Sequence, residues 1–356
     1  MKLTYPENFR KKMLDVTTVA KEFELSDFFK SLSSNRLSKE YELGKDWIVG
    51  PFENVNELTY TLTEQWKDPL NIGWNCTAIH NCSLLPHDGK LFMFYRANPS
   101  MESLSSRIGI AVYEEGLGWK DYAGNPIIYS TLDNENLSCD DPKVYKVDDK
   151  FVMFYQACYT PTQDDLSMYF DSNYPVKEVA VDINVAISYD LYHWEKKGPI
   201  LSKQMSHLWA KAAVVPKTPD GQAIKINGKY IMYISEGCGG KQVIGYSEDM
   251  LNWDFEYQEF LDTSSIGQLY EVACSISDFN ENSNIVLDFF YNDGTEICRA
   301  GQALYHRSEP AKQLDINRGG TLSWGGMIKY RDKWLYAQGW DAPYRMPVMF
   351  FYQSMK

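Results

Sequence analysis

A short stretch of this chain recurs at intervals, and that recurrence limits the fold more than any other feature. Asp88-Gly89-Lys90-Leu91-Phe92-Met93-Phe94-Tyr95 matches Asp148-Asp149-Lys150-Phe151-Val152-Met153-Phe154-Tyr155. Both match Asn227-Gly228-Lys229-Tyr230-Ile231-Met232-Tyr233 and, more loosely, Arg331-Asp332-Lys333-Trp334-Leu335-Tyr336. Each copy is a two-residue hairpin turn feeding an apolar strand. A weaker copy, Asn282 to Tyr291, fills the remaining gap. A second element, a small-residue strand, follows most copies: it is Ile108 to Val112 after the first, and in two others it ends in a Ser-x-(x)-Asp turn before a tryptophan. Those two run from Val185 to Asp190 with Trp194, and from Val243 to Asp249 with Trp253. From Trp47 onward the chain thus divides into five units of roughly 55–70 residues, each a small antiparallel sheet. The expected fold class is all-β, a five-bladed β-propeller, which leaves few exposed sheet edges. A β-sandwich would not explain the period. The strand around Thr59 to Thr63 is expected to complete the last blade, Val348 to Tyr352, and close the ring.

Composition agrees with a β-rich, sugar-handling protein: aromatic residues make up 15% of the chain, with 25 Tyr and 10 Trp. The net charge of -13, with no basic cluster, argues against nucleic-acid or anionic-membrane partners. No apolar run has signal-peptide or membrane-spanning length, and the seven scattered cysteines contain no Cys-x-x-Cys. The expectation is a cytoplasmic protein with reduced thiols. Residues 7–45 place Phe9, Met13 and Val16, then Phe23, Phe28, Phe29 and Leu32, at helical spacing. Residues 1–46 are therefore expected to form an N-terminal helical extension, packing on the main domain or on a second copy in a homo-oligomer. Residues 47–356 are expected to form the propeller catalytic domain.

The first strand of each propeller blade lines the central channel, so its opening residues converge there. Counting back nine positions from the turn lysine reaches Asn81 from Lys90, Asp141 from Lys150 and Trp324 from Lys333. Blade three carries an insertion, Lys217 to Lys225, and its strand start is assigned to Lys211; in blade four the best fit is Glu271. Two carboxylates, a lysine and a tryptophan in one pocket suit cleavage of a glycosidic bond. One acid protonates the leaving oxygen, a second carboxylate activates water, and the ring stacks on a sugar. The bland alternative is that Asp141 caps a strand through Pro142 and that Lys211 and Glu271 form a buried salt bridge. Tyr270 could restrain Glu271 or contact sugar, Trp340 and Asp341 are placed at the rim, and Asp164-Asp165 reads as a solvated acidic loop. His80, His87 and His207 show no metal-ligand spacing, and there is no Gly-rich phosphate loop or nucleophile elbow. No metal and no cofactor are expected; the expected partner is an oligosaccharide substrate.

These residues resemble glycoside hydrolase family 130, the mannoside phosphorylases and β-mannosidases built on a five-bladed propeller, over about Asn81 to Trp340. Phe94-Tyr95-Arg96-Ala97 with Ser106-Arg107-Ile108-Gly109 looks like the family's Tyr-Arg-Ala and Ser-Arg-Ile-Gly pair. Cys139-Asp140-Asp141-Pro142-Lys143 looks like its Cys-Glu-Asp-Pro-Arg motif, in which the aspartate before proline is the proton donor. Lys211-Ala212-Ala213-Val214-Val215-Pro216 resembles its Lys-x-x-Ala-Leu-Phe-Pro segment. The resemblance implies that Asp141 is the general acid, with Asp140, Arg96, Arg107 and Lys211 in the substrate or anion pocket. The chain departs from the family phosphorylases where they carry further basic residues: Asp182 to Ala186 and Ile231 to Glu236 take those places. Glu271 stands where the phosphorylases have small residues. These departures favour inverting hydrolysis of β-mannosides with Glu271 as base, over phosphorolysis and over a non-catalytic sugar-binding propeller. Related arabinanases and fructosidases use three carboxylates on the first three blades, a pattern that Asn81 and Lys211 do not fit.

Overall fold

The computed structural model describes residues 42, 44–62, 74–75, 78–98, 106–168, 174, 176–177, 179–277, 284–294, 298–321, 323–339 and 347–355. The expected N-terminal helical extension falls almost wholly outside the described residues. The chain enters through β1 (Phe52–Asn54) and β2 (Tyr60–Thr61). Blade one follows as β3 (Ala78–His87), β4 (Lys90–Asn98), β5 (Arg107–Glu114) and β6 (Gly118–Asp121). Blade two is β7 (Ser138–Val147), β8 (Lys150–Tyr159), β9 (Ala180–Ser188) and β10 (Glu195–Pro199). Blade three opens with β11 (Ala210–Val214), skips β12 (Pro216–Lys217), and continues through β13 (Tyr230–Gly237), β14 (Val243–Ser247) and β15 (Asp254–Tyr257). Blade four holds β16 (Gln268–Ile276), β17 (Asn284–Asn292), β18 (Cys298–His306) and β19 (Glu309–Arg318), with β12 added in parallel to β16. Blade five is β20 (Ile328–Tyr330), β21 (Lys333–Gln338) and β22 (Val348–Ser354), completed by β1 and β2 pairing with β22.

The recurring turns have the geometry their residues suggest. Asp88-Gly89, Asn227-Gly228 and Arg331-Asp332 all hold positive φ at both positions, the arrangement whose twist matches that of the flanking strands. The strands they feed are buried on both faces, which is why they read as continuous apolar runs rather than alternating ones. Neighbouring side chains in one strand serve opposite neighbours. Leu84 and Met93 pack toward blade five with Ile328, Leu335 and Met349, whereas Leu85, Phe92 and Phe94 pack toward blade two with Val144, Phe151 and Met153. The same exchange joins blade two to three, three to four and four to five. Five interblade cores thus close a ring, and the innermost strands β3, β7, β11, β16 and β20 face its axis.

Candidate active site

Blades one and two open their innermost strands with the same local device. The pairing of β3 with β4 slips by one residue between His80 and Ser83, and that of β7 with β8 slips between Asp140 and Lys143. The bulged residues Asn81 and Asp141 take φ of 48° and 47°, a left-handed conformation that Asn and Asp tolerate better than most side chains. A bulge re-aims a side chain, and here it brings the two together: Asn81 Nδ2 donates to Asp141 Oδ1 at 2.7 Å. Arg96, opposite His80 on β4, reaches Asp141 Oδ1 at 3.0 Å through Nη1 and Asp140 Oδ2 at 3.2 Å through Nη2. Its Nε donates to Ser106 Oγ at 2.9 Å, so the guanidinium is fixed in orientation.

The surroundings split the two aspartates. Burial would raise the Asp141 carboxyl, but Arg96, Lys211 and the Asn81 hydrogen bond outweigh it and hold Asp141 below the usual carboxylate range. Asp140 goes the other way, raised by burial and by the neighbouring Asp141 against the pull of Arg96. His80, fully buried and beside Arg96, is pushed down to about 3 and stays neutral.

In blade three the structure corrects the repeat alignment by one residue. Lys211 lies opposite Glu236, as His80 lies opposite Arg96 and Asp140 opposite Gln156. The left-handed position equivalent to Asn81 and Asp141 is Ala212, with φ 57°. Lys211 therefore corresponds to Asp140, not to Asp141. The insertion that begins at Lys217 had removed the turn lysine as a ruler. Lys211 still joins the cluster: its ammonium sits 5.5 Å from the Trp209 ring centroid and is raised, against burial, by Glu236, Asp141 and Glu271.

Glu271 follows another one-residue slip, between Leu269 and Glu271 on β16, and is buried. Burial pushes its carboxyl well above the usual range, and the adjoining Glu236 pushes it further, against Lys211 and Lys143. Asp141 ionised and Glu271 protonated is the reverse of the resting states that an acid at Asp141 and a base at Glu271 would need. Tyr270, beside Glu271, is 39% exposed. Trp324 lies in the turn before β20, its ring 4.3 Å from Phe290, and its carbonyl accepts from Lys143, which also donates to Ala273 O at 3.0 Å. Arg107 is buried at the start of β5, one strand out from Arg96. Trp340 and Asp341 lie outside the described residues. Asp165 is not a solvated loop residue: it is 5% exposed, caps the short helix Gln163–Met168 through Thr162 and accepts from Lys203 Nζ at 2.6 Å.

Two side chains at the centre were not singled out from the sequence. Gln156 and Glu236 stand across from Asp140 and Lys211, and each presents a buried oxygen that accepts no hydrogen bond. Counting forward six positions from Lys90 and Lys150 reaches Arg96 and Gln156, so the second strands carried a usable signal. Buried acceptors on Asp140, Gln156, Glu236 and Glu271, interleaved with Arg96 and Lys211, suit a ligand rich in hydroxyl groups, with or without an anion.

The family model of glycoside hydrolase family 130, described as beta-1,4-mannooligosaccharide phosphorylase, matches residues 54–274, more than half of the chain. A 1,2-beta-oligomannan phosphorylase of Thermoanaerobacter sp. (strain X514) is 23% identical over 249 residues, 68% of this chain and 73% of that protein. A beta-1,2-mannobiose phosphorylase of the same organism is 27% identical over 93 residues, 23% of this chain and 30% of that protein. Among solved structures, one reported under glycoside hydrolases of the family that target beta-1,2 mannosidic linkages in Candida mannan is similar with TM-score 0.65. It is 20% identical and spans 87% of this chain and 96% of that one. The Listeria innocua beta-1,2-mannobiose phosphorylase in complex with beta-1,2-mannobiose gives TM-score 0.59 at 12% identity, over 85% of this chain and 97% of that one. Both curated relatives are phosphorylases, and the hydrolysis expected from the sequence has no support among them. The model match spans blades one to three and the opening of blade four, Asp141 and Glu271 included, and by it this chain belongs to glycoside hydrolase family 130.

Proposed function

We propose that this protein cleaves β-mannosidic bonds in short oligosaccharides with inversion, inorganic phosphate taking the sugar and Asp141 serving as the acid. The glycosidic oxygen leaves with a proton, a phosphate oxygen bonds to the anomeric carbon from the opposite face, and the products are a shortened sugar and mannose 1-phosphate. The observation that carries the reading is the set of charges around Asp141. Arg96 is bonded to it, and Lys211 is near enough to act on it electrostatically. An anion drawn to these two cations would weaken their hold on Asp141 and raise its carboxyl toward the protonated state the reaction needs. A proton relay through a sugar hydroxyl would serve the same end. The family model and both curated relatives support phosphate as acceptor.

One observation favours water as a second reading. Glu236 and Glu271 put two carboxyls beside Lys211. Such a pair shares a proton, repels a dianion, and offers a base for water. The test is turnover of β-1,2- and β-1,4-mannobiose with and without phosphate, by wild type and Asp141→Asn. Phosphate-dependent mannose 1-phosphate, reduced about 10²–10⁴-fold in the variant, is the expected result. Free mannose released at equal rates without phosphate would establish hydrolysis. Binding with no turnover, indifferent to Asp141→Asn, would leave a sugar-binding propeller.

A further inference from the structure

Lys211 and Glu236 face each other directly across β11 and β13. Opposite charges in that register ordinarily close into an ion pair. Here Lys211 makes no ion pair or hydrogen bond of its own among the described residues, and one neighbouring side chain accounts for both groups. The Trp209 indole lies under the Lys211 ammonium, 5.5 Å from ring centroid to Nζ, and its Nε1 donates to Glu236 Oε1 at 3.1 Å. The indole is itself held in place. Tyr174, from the connection between β8 and β9, stacks on it at 5.1 Å and 14°, and the Tyr174 hydroxyl accepts from Gly237 N at 3.1 Å. The Trp209 carbonyl accepts from Cys238 N at 2.7 Å. Gly237, at φ 91°, admits this approach because a Cβ there would sit 1.8 Å from that carbonyl oxygen.

We propose that Trp209 is a positioning residue for this site: its N–H pins Glu236 while its face holds the Lys211 ammonium out of a closed pair, turned toward Asp141 and the ligand. The inference rests on the proposed function for its consequence in turnover, not for the geometry itself. Lys211 faces Glu236 across the two strands. Glu271 and Tyr270 face the pair from β16, Asp141 and Lys143 from β7, and Tyr174 from the blade-two connection. With Oε1 held by the indole N–H, Glu236 Oε2 is left buried and without a hydrogen-bond partner, available to a ligand hydroxyl.

Trp209→Phe keeps a ring under Lys211 and deletes the N–H; Trp209→Leu deletes both. A crystal structure of each variant reads the separation of Lys211 Nζ from the Glu236 carboxyl, and steady-state kinetics on β-1,2-mannobiose with inorganic phosphate read its consequence. Trp209→Phe is expected to release Glu236 Oε1 and to lower kcat about tenfold. Its KM should change little, because a ring still keeps Lys211 out of the pair. Trp209→Leu should in addition raise KM about tenfold as Lys211 closes onto Glu236. A Trp209→Leu protein in which Lys211 stays clear of Glu236 and KM is unchanged would overturn the proposal, whatever its thermal stability. A closed Lys211–Glu236 pair in Trp209→Leu with unchanged turnover would keep the positioning role and remove Lys211 from the reaction. That outcome counts against the proposed function and not against Trp209.

Discussion

Asp141 and Asp288 are both buried carboxyls, yet they move in opposite directions, because only one of them faces cations. Asp288, on β17, accepts from Thr321 N at 3.0 and 3.2 Å and from the Thr321 hydroxyl, all neutral donors, and burial pushes it up to about 7. A carboxyl raised in the folded state contributes stability that is fully present below its unfolded value near 3.9. That contribution is lost as pH rises through about 7. Urea unfolding should therefore show a loss of about 2 kcal/mol between pH 5 and pH 8 from this group, and Asp288→Asn should flatten the profile over that window. An unchanged slope in the variant would assign the dependence to other groups. The same contrast explains what could be read at the residue scale. Asp141 was legible because a proline follows it and the repeat count lands on it. Its depressed carboxyl was not legible, because that depends on Arg96 and Lys211, which lie 45 and 70 positions along the chain. Glu236 was read only as a missing base, since its meaning comes from facing Lys211.

The repeated Ser-x-(x)-Asp-Trp element is the part of the chain whose sequence pattern turned most directly into structure. Ser188 Oγ accepts from Leu191 N at 2.9 Å, Asp190 Oδ1 accepts from Tyr192 N and His193 N, and Trp194 Nε1 donates to Leu191 O at 2.8 Å. Ser247, Asp249 and Trp253 repeat each bond, and Leu191 and Met250 share a left-handed φ of 69° and 67°. Each tryptophan then meets a phenylalanine of the preceding blade edge-on: Trp194 with Phe94 at 6.0 Å, and Trp253 with Phe154 at 5.9 Å. The turn thus fixes a blade to its neighbour. Trp194→Ala and Trp253→Ala should each cost about 2 kcal/mol, less than a fully buried tryptophan because both rings are half-exposed. The two losses should add to within about 0.5 kcal/mol, since they lie at different blade interfaces. A much larger combined loss would reveal coupling around the ring. What the pattern could not show was the excursion of β12 into blade four, a parallel pairing of Pro216 with Ser275 and Lys217 with Ile276. Two residues inside an insertion carry too little periodicity to reveal it.

At the scale of the whole molecule, closure rests on strands from opposite ends of the chain. β1 pairs Phe52 with Ser354, Glu53 with Gln353 and Asn54 with Tyr352, while β2 pairs Tyr60 with Met349 and Thr61 with Val348. The pairing around Thr59 to Thr63 was legible because a ring of repeats needs its last blade finished. The part played by β1 was not, since three residues have no period of their own. Val55, Leu58 and Tyr60 bury their side chains in the core between blades five and one, so opening this seam would expose apolar surface as well as strand edge. The seam is also where the unfolded chain has most freedom to lose. Glu53, exposed, and Gln353, half-buried, are cross-strand partners, with Gln353 Nε2 donating to Glu53 Oε1 at 2.9 Å, and Glu53→Cys with Gln353→Cys would place two thiols across it. A disulfide there ties positions 300 residues apart, and the constraint it puts on the unfolded state should stabilise the fold by about 3–5 kcal/mol. For a chain of this length that is a rise of roughly 5 °C in Tm, to be measured in the oxidised double variant and abolished by reductant. Identical melting with and without reductant, once the crosslink is verified by mass, would mean that the seam stays shut in the transition being measured and that unfolding begins in another blade.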